Sequence, residues 1–208
     1  MTASPPSAPV RVAVMASGGG TNLQSLLDAL NGTPGGAARV VRVVSNRPDA
    51  GALDRARGAG VAAVTLAHPG DARECLAALG DAQLVVLAGY LKLVPAAVVS
   101  RFRWRMVNIH PALLPDFGGP GMYGARVHQA VLAAGKKESG ASVHYVTEEY
   151  DRGAVIARAR VPVLSGDTPE SLAARVLTAE HRLLPRVVSE LVERGMPDHA
   201  VRLEDFDA

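Results

Sequence analysis

Short apolar runs alternate with amphipathic segments along the first half of the chain. Runs rich in β-branched residues predict strands at residues 10–16, 39–45, 61–66 and 83–88. The segments between them carry apolar side chains at helical spacing and predict helices at residues 22–30, 51–60 and 71–80. Because strands and helices alternate, the pattern indicates a parallel sheet built from right-handed crossovers.

The regular alternation of strands and helices ends in the second half of the chain. A helix is predicted at residues 96–102 and a strand at 105–109, and the Pro- and Gly-rich segment 110–124 is expected to be irregular. A helix near 125–134 then leads to two strand-like runs, at 141–147 and 154–163, which are expected to pair antiparallel.

A long final helix is predicted from about residue 168 to residue 194. We expect Asp167 to cap it, Glu170 to complete a capping box, and Pro169 to lie in its first turn. Pro185 is expected to kink it. The prediction is an α/β fold: an open, mostly parallel twisted sheet with helices on both faces, a Rossmann-like N-terminal half and an antiparallel C-terminal strand pair.

Composition narrows the class of protein. The chain has 208 residues, 48% of them hydrophobic, which predicts one globular domain at residues 10–208 behind a flexible tail at 1–9. The net charge of +2 argues against a nucleic-acid-binding surface. There is a single cysteine, Cys75, which excludes a disulfide framework. Its side chain is expected to be a packed thiol. No targeting segment or membrane span is visible, so a cytoplasmic protein is expected.

The loop at residues 17–22, Ser-Gly-Gly-Gly-Thr-Asn, follows the first strand and precedes the first helix. Its glycines permit a tight turn, and the helix N-terminus presents unpaired N–H groups, so a monophosphate site is expected. The loop lacks the Gly-Lys-Ser/Thr of a P-loop and the third glycine of a dinucleotide fingerprint. An ordinary glycine turn is the alternative.

Asn108 and His110 lie at the end of a predicted strand. Alternation along the strand sends both side chains to one face, at the carboxyl end where open α/β sheets bind ligands. The amide can donate to a carbonyl oxygen and the imidazole can exchange a proton, so the pair could stabilise an oxyanion. A structural role for the same pattern remains open. The bond between Leu114 and Pro115 is a candidate for a cis peptide.

Further polar residues stand at positions that invite a functional interpretation. Asp151, in the turn 148–153, either is structural or reaches back to orient a histidine. Glu180 interrupts the apolar stripe of the last helix, so either an arginine pairs with it or it binds a polar substrate. His144 is either a core histidine or a support for the site. His68 and His128 are expected at the surface or in loops, and no metal-ligand spacing is present.

Together these segments resemble the glycinamide ribonucleotide formyltransferase family, from Val12 to about Arg194. The resemblance is carried by SGGGTNLQ at 17–24, SNR at 45–47, DARE at 71–74, LAGYLKLVP at 87–95, NIHPALLP at 108–115, GASVHYVTEEYDRGAVI at 140–156 and AEHRLLP at 179–185. Several folate formyl-transfer enzymes share the NIHPxLLP motif, and its combination with the glycine loop is specific to this branch.

The resemblance implies transfer of the formyl group of 10-formyltetrahydrofolate to the amine of 5'-phosphoribosylglycinamide in purine biosynthesis, without a metal. His110, Asn108 and Asp151 would be catalytic. His110, as imidazolium, and Asn108 would stabilise the oxyanion, and His110 would protonate the leaving nitrogen. Asp151 would raise the pKa of His110 and help move the proton of the attacking amine, directly or through water. Residues 10–103 would form the ribonucleotide half and 104–208 the catalytic and folate half. The implied ribonucleotide site comprises Gly20, Thr21, Asn22 and Glu180. The implied folate site comprises Arg73, Leu91, Lys92, Leu93, Val94 and Asn108.

One segment departs from the family pattern, and a second enzyme class shares the same three residues. Residues 116–124 form a longer glycine-rich version of the family's loop, so their conformation and role are not implied. The nearest rival, 10-formyltetrahydrofolate hydrolase, resembles this chain through the same Asn-His-Asp set but carries an additional N-terminal regulatory domain. The partners expected are small-molecule substrates, with neither nucleic acid nor membrane, and the chain is expected to be a monomer or a homodimer.

Overall fold

The computed structural model describes residues 8–208. The predicted tail at residues 1–9 therefore lies outside the described residues except for Ala8 and Pro9, which are exposed.

An eight-stranded sheet forms the centre of the molecule, with the strand order β3-β2-β1-β4-β5-β6-β7-β8. The first five strands are parallel, β6 pairs antiparallel with both β5 and β7, and β8 lies parallel to β7 at the edge. The strands are β1 Val10–Met15, β2 Ala38–Ser45, β3 Ala62–Thr65, β4 Leu84–Leu87, β5 Met106–His110, β6 Glu138–Tyr145, β7 Val155–Pro162 and β8 Phe206–Asp207.

Helices cover both faces of the sheet, as the alternating pattern predicts. Successive β1 residues point to opposite faces, so Val12 and Val14 join one hydrophobic cluster while Ala13 and Met15 join the other. The first cluster includes residues of α1, α2, α5 and α6, and the second residues of α3 and α4. The helices are α1 Thr21–Leu26, α2 Gly51–Gly58, α3 Ala72–Leu79, α4 Ala96–Arg101, α5 Ala125–Ala133 and α6 Pro169–Glu193.

The predicted fold class is confirmed, and the differences are local. Helix α1 continues as a π-helical turn at Leu27–Asn31. Strand β6 begins at Glu138 because its first residues pair with the end of β7, where Glu138 lies opposite Pro162. The short strand β8 was not predicted from the pattern. Cys75 is buried, as expected of a packed thiol.

The expected cap of the last helix is wrong by one residue. Thr168 is the N-cap, and its side chain and that of Ser171 form a reciprocal capping box. Asp167 is engaged elsewhere: its carboxylate accepts from Arg175 at 2.7 Å and from the Ser171 hydroxyl at 2.7 Å, and these bonds hold its pKa well below the usual range. Pro169 lies in the first turn as expected, and the helix continues across Pro185.

Strand order reverses at β1, because β2 and β3 follow on one side of it and β4 on the other. Open α/β sheets bind ligands at the carboxyl ends of the strands beside such a reversal. The loops that follow β1, β4 and β5 therefore meet where a ligand is expected. Among residues 8–208, no helix has the length and apolar character needed to cross a membrane.

The fold makes a stability prediction at Leu183, which is fully buried in α6 against the sheet. Leu183→Ala should lower the free energy of unfolding by about 2–5 kcal/mol, because it removes apolar contacts and leaves a cavity. Leu164→Ala, at a leucine 53% exposed, should change it by less than about 0.5 kcal/mol. Chemical denaturation of both variants measures the difference, and equal effects would contradict the described core.

Candidate active site

A cavity of about 530 Å³ opens at the carboxyl ends of β4 and β5. Its walls come from the segment after β4, the end of β5, the glycine-rich loop at residues 116–124, the turn between β6 and β7, and one face of α6. Most of the polar residues predicted for the site line it: Asn22, Lys92, Asn108, His110, His144, Asp151 and Glu180. The volume lies within the range of small-molecule sites.

Strand β5 places Asn108 and His110 on one face, as alternation predicts. In the antiparallel register Asn108 lies opposite His144, and His110 lies opposite Ser142. His110 is buried, its Nε2 lies 2.8 Å from the carbonyl oxygen of Phe117, and its Nδ1 lies 3.5 Å from Oδ2 of Asp151. A carbonyl only accepts, so Nε2 carries a proton in this arrangement.

Asp151 reaches back from its turn to the histidines, one of the two alternatives that the sequence leaves open. Its Oδ2 accepts from the backbone N–H of Gly119 at 2.9 Å, and its Oδ1 lies 3.4 Å from both Asn108 Nδ2 and His144 Nε2. Burial alone would raise the pKa of Asp151, but the neighbouring His110 and the N–H that Gly119 donates favour the charged form, and the net pKa of Asp151 is lowered. The carboxylate is therefore ionised in the site.

The pKa of His110 departs from the expectation drawn from the resemblance. Asp151 and the Phe117 carbonyl do raise it, which is the expected sign of their effect. Burial is the larger cause, however, and the net pKa of His110 is lowered. The correction follows from desolvation, which disfavours the charged imidazole in an apolar wall and which the sequence does not reveal.

His144 supports Asn108. Its Nδ1 lies 2.8 Å from the carbonyl oxygen of Tyr145, so Nδ1 is the protonated nitrogen and Nε2 presents a lone pair. Nδ2 of Asn108 lies 3.0 Å from this Nε2 and donates to it. The contact assigns the amide orientation of Asn108, because the opposite orientation would place two acceptors together. The second Nδ2 proton then faces Asp151 and the cavity.

The loop after β5 is anchored from beneath. The Ser142 hydroxyl donates to the carbonyl of Ala112 at 2.7 Å and accepts from the N–H of Leu114 at 3.0 Å. The Arg158 guanidinium donates to the carbonyl of Leu114 at 2.6 Å and 3.0 Å. The peptide bond between Leu114 and Pro115 is cis, as proposed from the sequence. These contacts hold the strand end on which His110 lies.

The glycine-rich segment 116–124 forms a wall of the cavity, and its residues 119–124 line it. Gly118 packs so closely that a β-carbon there would come within 2.4 Å of the Leu114 side chain and 3.1 Å of Asp151 Cβ. Phe117, which accepts from His110, and Asp151 both adopt positive φ, of 53° and 56°. The close packing and the Gly119 bond join this loop to Asp151.

Glu180 is paired with an asparagine, not with the arginine considered as one alternative. Its Oε2 accepts from Asn22 Nδ2 at 2.6 Å, and both residues line the cavity. Burial raises the pKa of Glu180 to about 7, and the Asn22 bond only partly opposes this. The amide oxygen of Asn22 is buried without a partner among the described residues. A buried polar pair with an unused acceptor favours the substrate-binding alternative.

The glycine loop at residues 17–22 makes a close turn just before Asn22. Gly20 has φ 74°, and a β-carbon on it would lie 2.8 Å from the backbone of Ala52, so no other residue fits without rearrangement. The Ser17 hydroxyl donates to Asn46 at 2.5 Å and accepts from the N–H of Leu91 at 2.9 Å, which ties the loop to the segment after β4. Gly20 and Thr21 themselves do not line the cavity.

All but one of the residues predicted for the folate site line the cavity. Leu91, Lys92, Leu93 and Val94 line the cavity. Leu91 and Leu93 are 50% and 48% exposed, and because both lie in this wall they give the cavity an apolar surface. Arg73 lies exposed on α3 and is not part of the cavity wall.

Sequence reasoning missed several residues of the wall. His128 is buried in α5 and lines the cavity, so its expected surface position is wrong. The signal was its position three residues before Val131, which places it on the apolar face of the helix. Tyr90 and Tyr150 also line the cavity, whereas His68 is exposed as expected. Within residues 8–208, no cluster of His, Cys, Asp and Glu side chains is arranged to hold a metal ion.

Comparison with known proteins identifies the class. Residues 10–188 match the family model described as formyl transferase, and the chain belongs to the formyl transferase family. It is 40% identical over 202 residues to the phosphoribosylglycinamide formyltransferase of Escherichia coli, covering 91% of each protein. It is 43% identical over 195 residues to the chloroplastic phosphoribosylglycinamide formyltransferase of Arabidopsis thaliana, covering 88% of this chain and 65% of the plant protein.

Solved structures agree with this assignment. The phosphoribosylglycinamide formyltransferase of Anaplasma phagocytophilum superposes with a TM-score of 0.85 at 32% identity, covering 96% of this chain and 99% of that one. The enzyme of Brucella melitensis gives a TM-score of 0.80 at 41% identity, covering 89% and 96%. The chain spans less than two thirds of the two plant relatives, 65% and 61% of their length.

The raised pKa of Glu180 makes a prediction about stability and pH. The folded pKa, about 7, lies above the ordinary value of 4.5, so folding takes up a proton between these pH values. Stability relative to Glu180→Gln should therefore be greatest at low pH and fall by up to about 3 kcal/mol as pH rises from 5 to 8. Denaturant unfolding of both proteins at several pH values tests this. Parallel stability profiles would contradict the described burial.

Proposed function

We propose that the protein transfers the formyl group of 10-formyltetrahydrofolate to the amine of 5'-phosphoribosylglycinamide. The products are formylglycinamide ribonucleotide and tetrahydrofolate, in the synthesis of purines. One observation carries the proposal: Asn108, His110 and Asp151 meet within hydrogen-bonding or ion-pairing distance at one end of a ligand-sized cavity. The names of the relatives support the same reaction and give no support to the hydrolase.

The ribonucleotide half of the site is assigned to residues 10–103 together with α6. The phosphate would bind at Gly20, Thr21 and Asn22, where the first helix begins without a side-chain cap and its first N–H groups have no partner within the helix. The ribose hydroxyls would donate to Glu180, whose partner Asn22 already lies beside it. Loss of a proton from Glu180 on binding would leave two acceptor oxygens for two hydroxyls.

The folate is assigned to the apolar side of the cavity. Leu91, Lys92, Leu93 and Val94 would contact its ring system and linker, with Asn108 at the formyl group. Arg73 would reach the ligand only beyond the cavity wall, because it lies exposed on α3. The donor is a cosubstrate, and the proposed chemistry uses no metal.

The proposed reaction begins with attack of the amine on the formyl carbon, and the Asp151 carboxylate would help take up the proton that the amine loses. The carbonyl oxygen becomes an oxyanion, stabilised by the His110 imidazolium and by the Nδ2 proton of Asn108 that faces Asp151 and the cavity. The developing negative charge raises the pKa of His110, which offsets the effect of burial at the moment when the charge is needed. His110 then protonates the leaving nitrogen, exchanging its bond to Phe117 for one with the reactant.

The test is an absorbance assay of 10-formyltetrahydrofolate, or its dideaza analogue, with and without the ribonucleotide. Loss of the formyl group that depends strictly on the amine is the expected result. Consumption of 10-formyltetrahydrofolate without the amine would identify a hydrolase instead. No consumption under either condition would mean that the chain binds these ligands without turning them over.

Thr21→Glu tests the phosphate assignment. Thr21 is exposed at the start of α1, so the substitution should leave folding intact. The added carboxylate should raise KM for the ribonucleotide about tenfold or more by repulsion of the phosphate, with KM for the folate unchanged. Thr21→Gln, of the same size without the charge, is the control. Equal loss for both substrates would show that the loop has only a structural role.

A further inference from the structure

A row of polar side chains crosses three strands of the sheet beside the site. His110 on β5 lies opposite Ser142 on β6, and Ser142 lies opposite Arg158 on β7. Residues directly opposite each other on neighbouring strands project from the same face of a sheet. The Arg158 side chain, 22% of which is exposed, therefore lies on the face that carries His110, two strands away from it.

Arg158 and Ser142 anchor the segment after β5 at Leu114. The guanidinium donates to the Leu114 carbonyl from Nη2 at 2.6 Å and from Nε at 3.0 Å, and the Ser142 hydroxyl accepts the Leu114 N–H at 3.0 Å. Hydrogen bonds from a charged donor are stronger than neutral ones, and two from one planar group also fix its orientation. By contrast, the ion pair between Asp116 and Lys136 is exposed at both ends and contributes little.

The anchored segment supplies two contacts to the reaction centre. The side chain of the anchored leucine packs against Gly118, where it would collide with any β-carbon. On either side of Gly118, the Phe117 carbonyl accepts from His110 Nε2 at 2.8 Å and the Gly119 N–H donates to Asp151 at 2.9 Å. Phe117 has φ 53°, a conformation that a non-glycine residue keeps only where its surroundings hold it. Displacement of the segment would therefore alter both contacts.

The C-terminal segment holds Arg158 in turn. Asp205 accepts from the Arg158 backbone N–H at 2.7 Å, and its Oδ2 lies 3.7 Å from Arg158 Nη1. Arg202 donates to both oxygens of the same carboxylate at 2.8 Å and to the Ile156 carbonyl at 3.0 Å. The carboxylate thus faces Nη1 of the guanidinium and leaves Nε and Nη2 to the Leu114 carbonyl.

We propose that Arg158 is a positioning residue for formyl transfer, oriented by Asp205 of the C-terminal segment. The inference rests on the proposed function. Arg158 does not line the cavity. It acts through Leu114, whose placement sets the carbonyl that orients the His110 imidazole before that imidazole turns to the leaving nitrogen. A misplacement of about 1 Å at reacting groups can cost about a hundredfold in rate, so an anchor outside the cavity can affect turnover.

Loss of this anchor should also change the pH dependence of turnover. The groups that face His110 are the Phe117 carbonyl, Asp151 from the turn between β6 and β7, His144 from β6 and His128 from α5. The bond to the Phe117 carbonyl raises the pKa of His110, so a loosened bond should lower that pKa. Because His110 acts as an acid in the proposed reaction, kcat falls as pH rises through its pKa. This limb of the kcat–pH profile should therefore move to lower pH.

Two substitutions at Arg158 separate its hydrogen bond from its size. Methionine carries a methyl group where arginine carries Nε, whereas glutamine carries an amide N–H donor there. Arg158→Met should lower kcat by a factor on the order of 10 or more, with KM for the ribonucleotide unchanged, because the proposed ribonucleotide site does not include this segment. Arg158→Gln keeps one of the two donors and should restore kcat to within about threefold of the wild type.

Arg160→Met is the matched control. Arg160 lies on the same strand and face and pairs with Glu138 and Asp205, at 3.5 Å and 3.7 Å. Its loss removes an equal charge from beside Asp205, and both kcat and the pH profile should match the wild type. Saturating substrates and protein shown to be folded are used throughout.

Three results would overturn the proposal. They are a kcat of Arg158→Met within about twofold of the wild type, an unmoved limb of its pH profile, or equal losses in Arg158→Met and Arg158→Gln. If Arg158→Met does not fold, Asp205→Ala decides, because it removes both contacts that orient Arg158: kcat should fall severalfold with the same shift of the limb, and wild-type behaviour contradicts the proposal. A wild-type protein without amine-dependent transfer would refute the proposed function itself, whereas active wild type with fully active Arg158→Met refutes only this inference.

Discussion

The ionised carboxylate of Asp151 is the interaction on which the site depends. It lies 3.5 Å from His110, 3.4 Å from Asn108 and His144, and accepts the Gly119 N–H at 2.9 Å. These contacts join strand β5, strand β6, the glycine-rich loop and the turn between β6 and β7. Because the carboxylate is largely buried, losing a partner would leave a poorly compensated charge, which is strongly unfavourable. The four segments are therefore held in one arrangement.

Burial shifts the pKa values of the cavity's histidines and of Glu180 in opposite directions. It lowers the pKa of His110 and of His128, and it raises that of Glu180 to about 7. Glu180, whose pKa is moved toward neutrality, can exchange a proton with a reactant at physiological pH, whereas the lowered pKa values favour the neutral form of the two histidines. The same apolar walls strengthen each hydrogen bond to a developing charge. Desolvation thus favours the neutral forms of the histidines and of Glu180. The negative charge of Asp151 opposes this effect at His110.

Much of this architecture could be predicted from the sequence. The β-branched runs and helical stripes gave the sheet and its helices, and period-two alternation placed Asn108 and His110 on one face. The partner of Glu180 could not be predicted, because Asn22 lies 158 positions away in sequence and meets it only through packing of α1 on α6. The burial of His128, by contrast, could have been predicted from its place on the apolar face of α5. The net pKa of His110 depends on desolvation, which is a property of the assembled wall.

The most direct test of the account is the turnover of Asp151→Asn. The substitution keeps the shape of the side chain but removes its charge, so folding should survive while kcat for amine-dependent formyl transfer falls by a factor on the order of 100 or more. Asp116→Asn, at an exposed aspartate paired with Lys136, is the matched control and should retain kcat within about twofold. Wild-type turnover by a folded Asp151→Asn protein would contradict the central role of this carboxylate.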